Sequence, residues 1–336
     1  MPEHTTPAVP AVPAASTVSA VSTVSTVSTQ SVDPADRVEL WEDYNRRALV
    51  GLTCSPYSEQ GLVARQTNFR LGGLRLAEIT GNEHVIERTA KTCRALPKDS
   101  VFASLLVSGQ GVFFHGGGCL TPAAGDLVLY DTRRSYLFGF PCAMRQLLVD
   151  IPREVFTESC AAGGVPTPLL FGGRSAAEGA LVSALRSVLA DWAARGGTGD
   201  PAATAAIVLD LVRSLAGPRL GGGAATAGRA SRLAVAEDYI GRHLADPGLS
   251  AGRVAEAIGV SARQLSRIFE PSGVSPSRRI LELRLAGARE QLADDGSRRL
   301  TVAEIAHRWG FASQAHFTRV FGERFGRTPG AARPGP

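Results

Sequence analysis

Two short stretches of this chain repeat one arrangement of polar side chains on an apolar frame. In the first, Arg263, Ser266 and Arg267 fall opposite Leu265, Ile268 and Phe269 at helical spacing, with Gln264 marginal. In the second, Gln314, Ala315, Thr318 and Arg319 fall opposite Phe317, Val320 and Phe321, with His316 at the edge. An arginine can donate twice to the edge of guanine and a glutamine can pair with adenine, each worth about 1 to 3 kcal/mol of discrimination. A single surface arginine reads most simply as solvated charge. Two matching outward sets on two matching frames point instead to hydrogen bonding with base edges.

The frames themselves are one pattern written twice. Ser250, Val254, Ala255, Ile258, Gly259, Val260, Leu265, Arg267, Ile268 and Phe269 lead to Gly273-Val274-Ser275-Pro276. Thr301, Ile305, Ala306, Trp309, Gly310, Phe311, Phe317, Arg319, Val320 and Phe321 lead to Gly326-Arg327-Thr328-Pro329. Each copy reads as a short helix, a turn at glycine and a second helix, the helix-turn-helix that lays its second helix in the major groove. Thr301 with Glu304 forms a T-x-x-E capping box, and Ser250 is the equivalent N-cap. Ser275-Pro276 starts a further helix whose Leu281, Leu285, Ala288 and Leu292 make one apolar stripe, a rigid connector between the copies. Trp309, Phe311, Phe317, Phe321 and Phe325 lie on the apolar side and read as core, not as base-stacking residues.

Residues 231–333 resemble the DNA-binding domain of the AraC/XylS family of bacterial transcription regulators. The resemblance rests on Arg284-Leu285, Ala288-Arg289 and Leu292 in the connector, then Ile305-Ala306, Gly310-Phe311, His316-Phe317, Arg319, Phe321, Gly326 and Thr328-Pro329. Gly322 stands where the family usually has a basic residue, Ala332 where it often has an aromatic, and Pro271 lies in the turn after the first recognition helix. The resemblance implies that both recognition helices of one chain enter successive major-groove segments, about 34 Å apart. The implied DNA-contact set is Arg263, Ser266, Arg267, Gln314, Ala315, His316, Thr318 and Arg319.

Charge is distributed accordingly. Residues 231–336 hold 16 arginines, no lysine and 11 acidic residues, whereas the first 230 residues balance at 20 basic against 20 acidic. A net of +5 is modest, so its localisation is what informs. The length of 336 residues suits two folded domains. Residues 1–32 are rich in Pro, Ala, Val, Ser and Thr and are expected to form a disordered tail, with no basic segment or apolar run of a secretory signal. No later segment is apolar for long enough to span a membrane, so none is expected as a partner. Cys54, Cys93, Cys119, Cys142 and Cys160 lack C-x-x-C spacing and are odd in number, which suits reduced thiols in a cytoplasmic protein.

From about residue 36 to residue 170 the pattern is mainly strand-like. After a helical start near 38–49, apolar runs occur at 73–79, 85–89, 101–107, 111–115, 126–130, 136–140 and 144–151, separated by turn signals such as Gly109-Gln110-Gly111. Seven close-spaced strands suggest a small barrel or jelly roll. Two helical stretches follow at 176–194 and 202–215, which could pack on the barrel or form a dimer surface. Residues 217–230 read as a flexible linker.

The run Leu120-Thr121-Pro122, Gly125-Asp126-Leu127, Leu129 to Arg134 and Tyr136 resembles the cupin-like sensor of one subgroup of the same family, with Ser135 where proline is frequent. The expected fold is therefore α+β with two domains: a cupin-like β-barrel with helices over 33–216, and an all-α domain with two helix-turn-helix motifs over 231–333. A barrel mouth is a natural small-molecule site, and Phe113, His115, Tyr130, Arg134, Tyr136 and Phe138 are the candidate effector-binding residues, each of which could equally be barrel core. Arg134 could instead pair with Asp131 or Asp126. No H-x-H with a following glutamate, no G-x-S-x-G and no phosphate-binding glycine loop is present, so no metal, cofactor or enzyme activity is expected.

The function implied is a sequence-specific transcription regulator, an activator on the resemblance, that binds promoter DNA and a small-molecule effector. It is expected to contact RNA polymerase and to form a homodimer. Alternatives are a regulator that is effector-independent or controlled by a protein, and a cupin-type metalloenzyme.

Overall fold

The computed structural model describes residues 24–173, 175–221 and 228–333. The N-terminal half runs β1 (Val24–Ser28), α1 (Arg37–Ala48), β2 (Thr53–Pro56), β3 (Ala64–Leu71), β4 (Leu74–Gly81), β5 (His84–Arg88), α2 (Ala90–Ala95), β6 (Ser100–Ser108), β7 (Val112–His115), β8 (Gly118–Leu120), β9 (Leu127–Asp131), β10 (Tyr136–Phe140), β11 (Met144–Pro152), α3 (Arg153–Ser159) and β12 (Leu169–Phe171). A seven-stranded sheet, in the order β1-β3-β4-β11-β6-β9-β12, faces a five-stranded one, β2-β5-β10-β7-β8. Between them lies a core that includes Phe102, Tyr130 and Leu148 from the larger sheet and Phe113, Phe138 and Phe140 from the smaller.

The outer face of the larger sheet is covered by α4 (Ala176–Ala194) and α5 (Pro201–Ala216). Leu76, Val101, Ala103, Leu105, Leu147 and Val149 meet Leu185, Leu189, Trp192, Val208 and Leu211 there. Strands β6 and β11 are thus buried on both faces, which explains why they read in sequence as continuous apolar runs instead of alternating ones. Asp200 starts α5 by accepting from the Ala202 and Ala203 N–H groups.

Two expectations are corrected. Residues 24–32 are not part of a disordered tail: β1 pairs antiparallel with β3, Val24 opposite Phe69 and Ser28 opposite Arg65. Thr29 is wholly buried, its Oγ1 donating to Leu62 O at 2.9 Å and accepting from Ala64 N–H at 2.8 Å. The β-branched Ser-Thr-Val repeat completes the ladder on the side of β3 away from β4. The rest of that expected tail, residues 1–23, lies outside the described residues. The expected linker is also shorter. A 3-10 turn at Gly217–Arg219 extends α5, and Arg219 donates to Leu170 O at 2.6 Å, lies 4.3 Å from the Phe171 ring centroid and pairs with Glu178. Residues 222–227 of the linker lie outside the described residues.

The C-terminal half contains α6 (Arg229–Arg242), α7 (Ala251–Ala257), α8 (Ala262–Phe269), α9 (Pro276–Ala293), α10 (Val302–Arg308) and α11 (Gln314–Phe325). Helix α6 leans on α4 and α5: Ser187 Oγ donates to Asp238 Oδ1 at 2.5 Å, and Val235 joins the core under α4 and α5. None of the described helices is long and apolar enough to cross a membrane.

Candidate nucleic-acid interface and sensor cleft

The two helix-turn-helix motifs are built by the same local devices. In the first, Ser250 caps α7, and Ser261 caps α8 in a reciprocal box: Gln264 N–H donates to Ser261 Oγ at 3.2 Å and Ser261 N–H to Gln264 Oε1 at 2.8 Å. That S-x-x-Q spacing is a capping signal legible in the sequence, and it employs Gln264 in starting the helix. In the second, Thr301 and Glu304 form the expected box, and the Thr301 N–H and hydroxyl hold the Glu304 carboxyl below its usual range. Ser313 caps α11.

Each motif closes its own core on the shared α9. Val254, Leu265, Ile268 and Phe269 pack with Ile280, while Ile305, Phe311, Phe317 and Phe321 pack with Leu285, Ala288 and Leu292. Two further contacts tie the halves together. Arg284 of α9 donates from Nε to Leu244 O at 3.0 Å and from Nη2 to Asp246 O at 2.5 Å, in the loop before α7. Gly310, at φ +74°, turns the second motif directly against that clamp; a Cβ there would stand 2.6 Å from Leu244 O. At the next turn of α9, Gly287 receives the Trp309 indole, whose Nε1–H donates to Gln291 Oε1 at 2.8 Å.

A Cβ on Gly287 would lie 2.1 Å from the Trp309 ring. Gly287→Ala is therefore expected to cost about 1 to 3 kcal/mol by overpacking, read as a lower denaturant midpoint with altered Trp309 fluorescence. An unchanged midpoint would show that the ring does not depend on this seat.

The outward residues fall where the helical spacing puts them. Arg263, Ser266 and Arg267 on α8 and Gln314, Ala315, His316 and Arg319 on α11 are exposed, and Thr318 is half-buried. Among the described residues, the side chains of Arg263 and Arg267 have no partner. Ser266 Oγ donates back to Ala262 O at 3.1 Å, and Arg319 Nη1 donates to Glu323 Oε1 at 2.8 Å across an exposed pair. Such a pair is worth little in water, so Arg319 can be recruited elsewhere cheaply.

In the sensor half, a cleft of about 440 Å³ brings together Phe113, His115, Tyr130, Arg134 and Tyr136, five of the six residues singled out in the sequence. The register of β7 and β10 does this: Tyr136 lies opposite His115 and Phe138 opposite Phe113. Phe113 stacks on Tyr136 with ring centroids 5.4 Å apart and sits 4.8 Å from Tyr130. Burial raises the phenol of Tyr136 to about 12 and that of Tyr130 well above its ordinary value, so both stay protonated. Phe138 does not line the cleft. It lies opposite Phe113 in the β7–β10 ladder, buried and edge-on at 5.1 Å, one pair further along the strands from His115 and Tyr136.

The Arg134 side chain pairs with neither Asp131 nor Asp126, although its backbone N–H donates to Asp131 O at 3.2 Å. Asp131 is engaged by Arg133 and Arg153, and Asp126 accepts from Ala123 N–H. The Arg134 side chain, exposed at the rim, has no partner among the described residues. Sequence reasoning missed the opposite wall, Pro166-Thr167-Pro168, which arrives from a loop thirty residues on. It also missed Arg88, wholly buried near Tyr136, whose guanidinium donates, among the described residues, to the carbonyls of Gly51, Leu96 and Thr132.

Burial alone would raise Asp131, but the Arg133 N–H and the Arg153 guanidinium outweigh it and hold the carboxyl below its usual range. A depressed folded value stabilises above the unfolded value of about 3.9 and is lost as pH falls through the folded one. Stability should fall on acidification below about pH 4, and Asp131→Asn should flatten that limb of a melting-temperature profile. An unaltered acid limb would assign it to other carboxylates.

Comparison with known proteins decides the lineage. A family model described as an AraC-binding-like domain matches residues 41–215, just over half of the chain, and one described as a helix-turn-helix domain matches residues 254–334. The chain belongs to the AraC/XylS family of transcription regulators. This AraC-family chain is 27% identical over 265 residues, 78% of each protein, to the transcriptional activator NphR of Rhodococcus sp. It is 40% identical over 101 residues, 29% of each protein, to a probable thc operon regulatory protein of Rhodococcus erythropolis. The crystal structure of the AraC-like transcriptional activator CuxR superposes with a TM-score of 0.50 at 19% identity, covering 79% of this chain and 94% of that one, a likeness of fold. The two-domain α+β architecture and the DNA-binding, transcription-regulating role of an AraC-family protein follow.

Among the described residues of this AraC-family chain, no three His, Cys, Asp or Glu side chains are grouped to hold a metal ion. All five cysteines are free thiols; burial pushes Cys54 and Cys160 up to about 12, while Cys119 is exposed.

Proposed function

We propose that the protein is a cytoplasmic transcriptional activator that binds promoter DNA as a homodimer, contacts RNA polymerase and responds to a small molecule seated in the aromatic cleft. The observation that carries the DNA reading is the pair of outward polar sets on α8 and α11, held by one rigid α9. Arg263, Ser266 and Arg267 would read one major-groove segment; Gln314, Ala315, His316, Thr318 and Arg319 would read the next. The name of NphR, a transcriptional activator, favours activation over repression. The domain assignment that goes with this reading is a sensor over 33–216, begun earlier by β1, and a DNA-binding domain over 231–333.

The cleft has a physical route to the DNA-binding half. Pro166-Thr167-Pro168 lines it and leads directly into β12, whose Leu170 carbonyl accepts from Arg219 at the end of α5. Helices α4 and α5 in turn hold α6 through Ser187–Asp238 and through Ser231 Oγ to Ile207 O at 3.4 Å. A ligand that favours one arrangement of the cleft would shift the population of domain arrangements by its differential affinity.

The test is a salt titration of binding to a labelled duplex, followed by fluorescence anisotropy. Phosphate contacts release counterions, so affinity should fall linearly in log–log form with a slope of about −0.9 per contact. A flat profile would point to a helix-turn-helix that binds protein instead of DNA.

A further inference from the structure

A second cleft, of about 510 Å³, opens beside the β3–β4 hairpin and shares no lining residue with the aromatic one. Its volume is in the range of small-molecule sites, but its chemistry differs: the walls carry Asn68, Arg70, Arg75, Lys98, Ser100 and Asp150. Arg70 and Arg75 are directly opposite in the β3–β4 ladder, so both side chains leave the same face. Like charges placed so repel each other. Arg75 has only an exposed bond to Ala48 O at 3.3 Å, and Arg70 has no partner among the described residues.

Asp150 is opposite Arg75 in the neighbouring ladder, yet it does not resolve the repulsion. Its Oδ2 is taken by Lys98 Nζ at 2.6 Å. Among the described residues its Oδ1 accepts no hydrogen bond, although the side chain is only 3% exposed. A buried acceptor left unsatisfied is unfavourable. One occupant would meet both demands, with an acidic group between the two arginines and a neighbouring hydroxyl donating to Asp150 Oδ1.

We propose that this cleft is a second effector site, for a small hydroxylated acid. The carboxylate or phosphate is held by Arg70 and Arg75, one hydroxyl donates to Asp150 Oδ1, and Ser100 lines the same wall, while the Asn68 amide is held by Gln66 and Tyr44. The site is coupled to the rest of the chain through the hairpin turn. Gly72, at φ +59°, presses on the first turn of α5; a Cβ there would be 3.0 Å from Pro201 O and 3.2 Å from Ala205 Cβ. Since α5 also holds α6, occupancy would reach the DNA-binding half through the start of α5, joining at that helix the path from the aromatic cleft.

Isothermal titration of the full chain with D-gluconate, D-glucose 6-phosphate and D-glucose tests this. Saturable binding of at least one acid, without binding of glucose, is the expected result, and which acid binds separates a carboxylate from a phosphate ligand. Arg70→Gln, a change at an exposed, unpartnered side chain that leaves folding intact, should weaken the bound acid about tenfold or more. Asp150→Asn should weaken it too, and Phe113→Ala, in the other cleft, should not. Failure of both acids to bind at millimolar concentration, or wild-type affinity in Arg70→Gln, would overturn the proposal and leave the reading of the aromatic cleft untouched.

Discussion

Replacing Arg267 and Arg319 together by alanine is expected to weaken binding to the specific operator by about 2 to 6 kcal/mol, roughly 30-fold to 10⁴-fold. The two residues sit in different motifs with separate cores, so their losses should add. The Arg267 guanidinium has no partner among the described residues, and the exposed partner of Arg319, Glu323, competes weakly. Binding to random duplex should fall far less, since that term comes from phosphate charge. Titration of the double variant against operator and random duplex at one salt concentration reads both. If the ratio of the two affinities is that of the wild type, the residues that read bases are others.

Arg284→Ala is expected to lower the stability of the DNA-binding half by about 2 to 5 kcal/mol. The variant strands the carbonyls of Leu244 and Asp246, which Arg284 satisfies from the middle of α9, and each such loss costs about 1 to 3 kcal/mol. Arg284→Lys should recover only part of this, because one ammonium lacks the fixed fork of the guanidinium. A second effect concerns geometry. Arg284 and the Gly310 turn hold the two motifs at one separation, so the variants should tolerate half-site spacings that the wild type rejects. A chemical-denaturation midpoint and a set of operators with lengthened spacers measure the two effects. Wild-type values in both would mean that the separation is fixed by α9 packing alone.

The C-terminal half was legible because its signals are local. Ser250, Thr301 and Ser275 start helices, Gly259 and Gly310 turn them, and the apolar positions repeat at a helical period, so the outward residues follow by subtraction. The N-terminal half is legible where strands are doubly buried, as in β6, β9 and β11, or alternate cleanly, as in β10, and obscure where they are short or polar. Strand β3 buries Gln66 instead of an aliphatic residue, and β1 hides in a Ser-Thr-Val repeat whose partner lies some forty residues away. The aromatic cleft was found through strand alternation, which put Phe113 with His115 and Tyr136 with Phe138. Alternation gives a face but not how far a cleft runs along it, so it groups Phe138 with Tyr136 although only Tyr136 lines the cleft. Pro166-Thr167-Pro168, Arg88 and the place of Asp150 beside the Arg70–Arg75 hairpin pair depend on contacts between segments far apart in sequence, which no local pattern encodes.

The central claim, that one chain reads two adjacent groove segments, is tested most directly by selecting random duplex DNA on the full-length protein at near-physiological salt and sequencing the retained pool. Two short motifs separated by one helical turn, with the second motif lost from pools selected on a Gln314→Ala, Arg319→Ala variant, is the expected result. A pool enriched in one motif only, or retained without sequence preference, would contradict it.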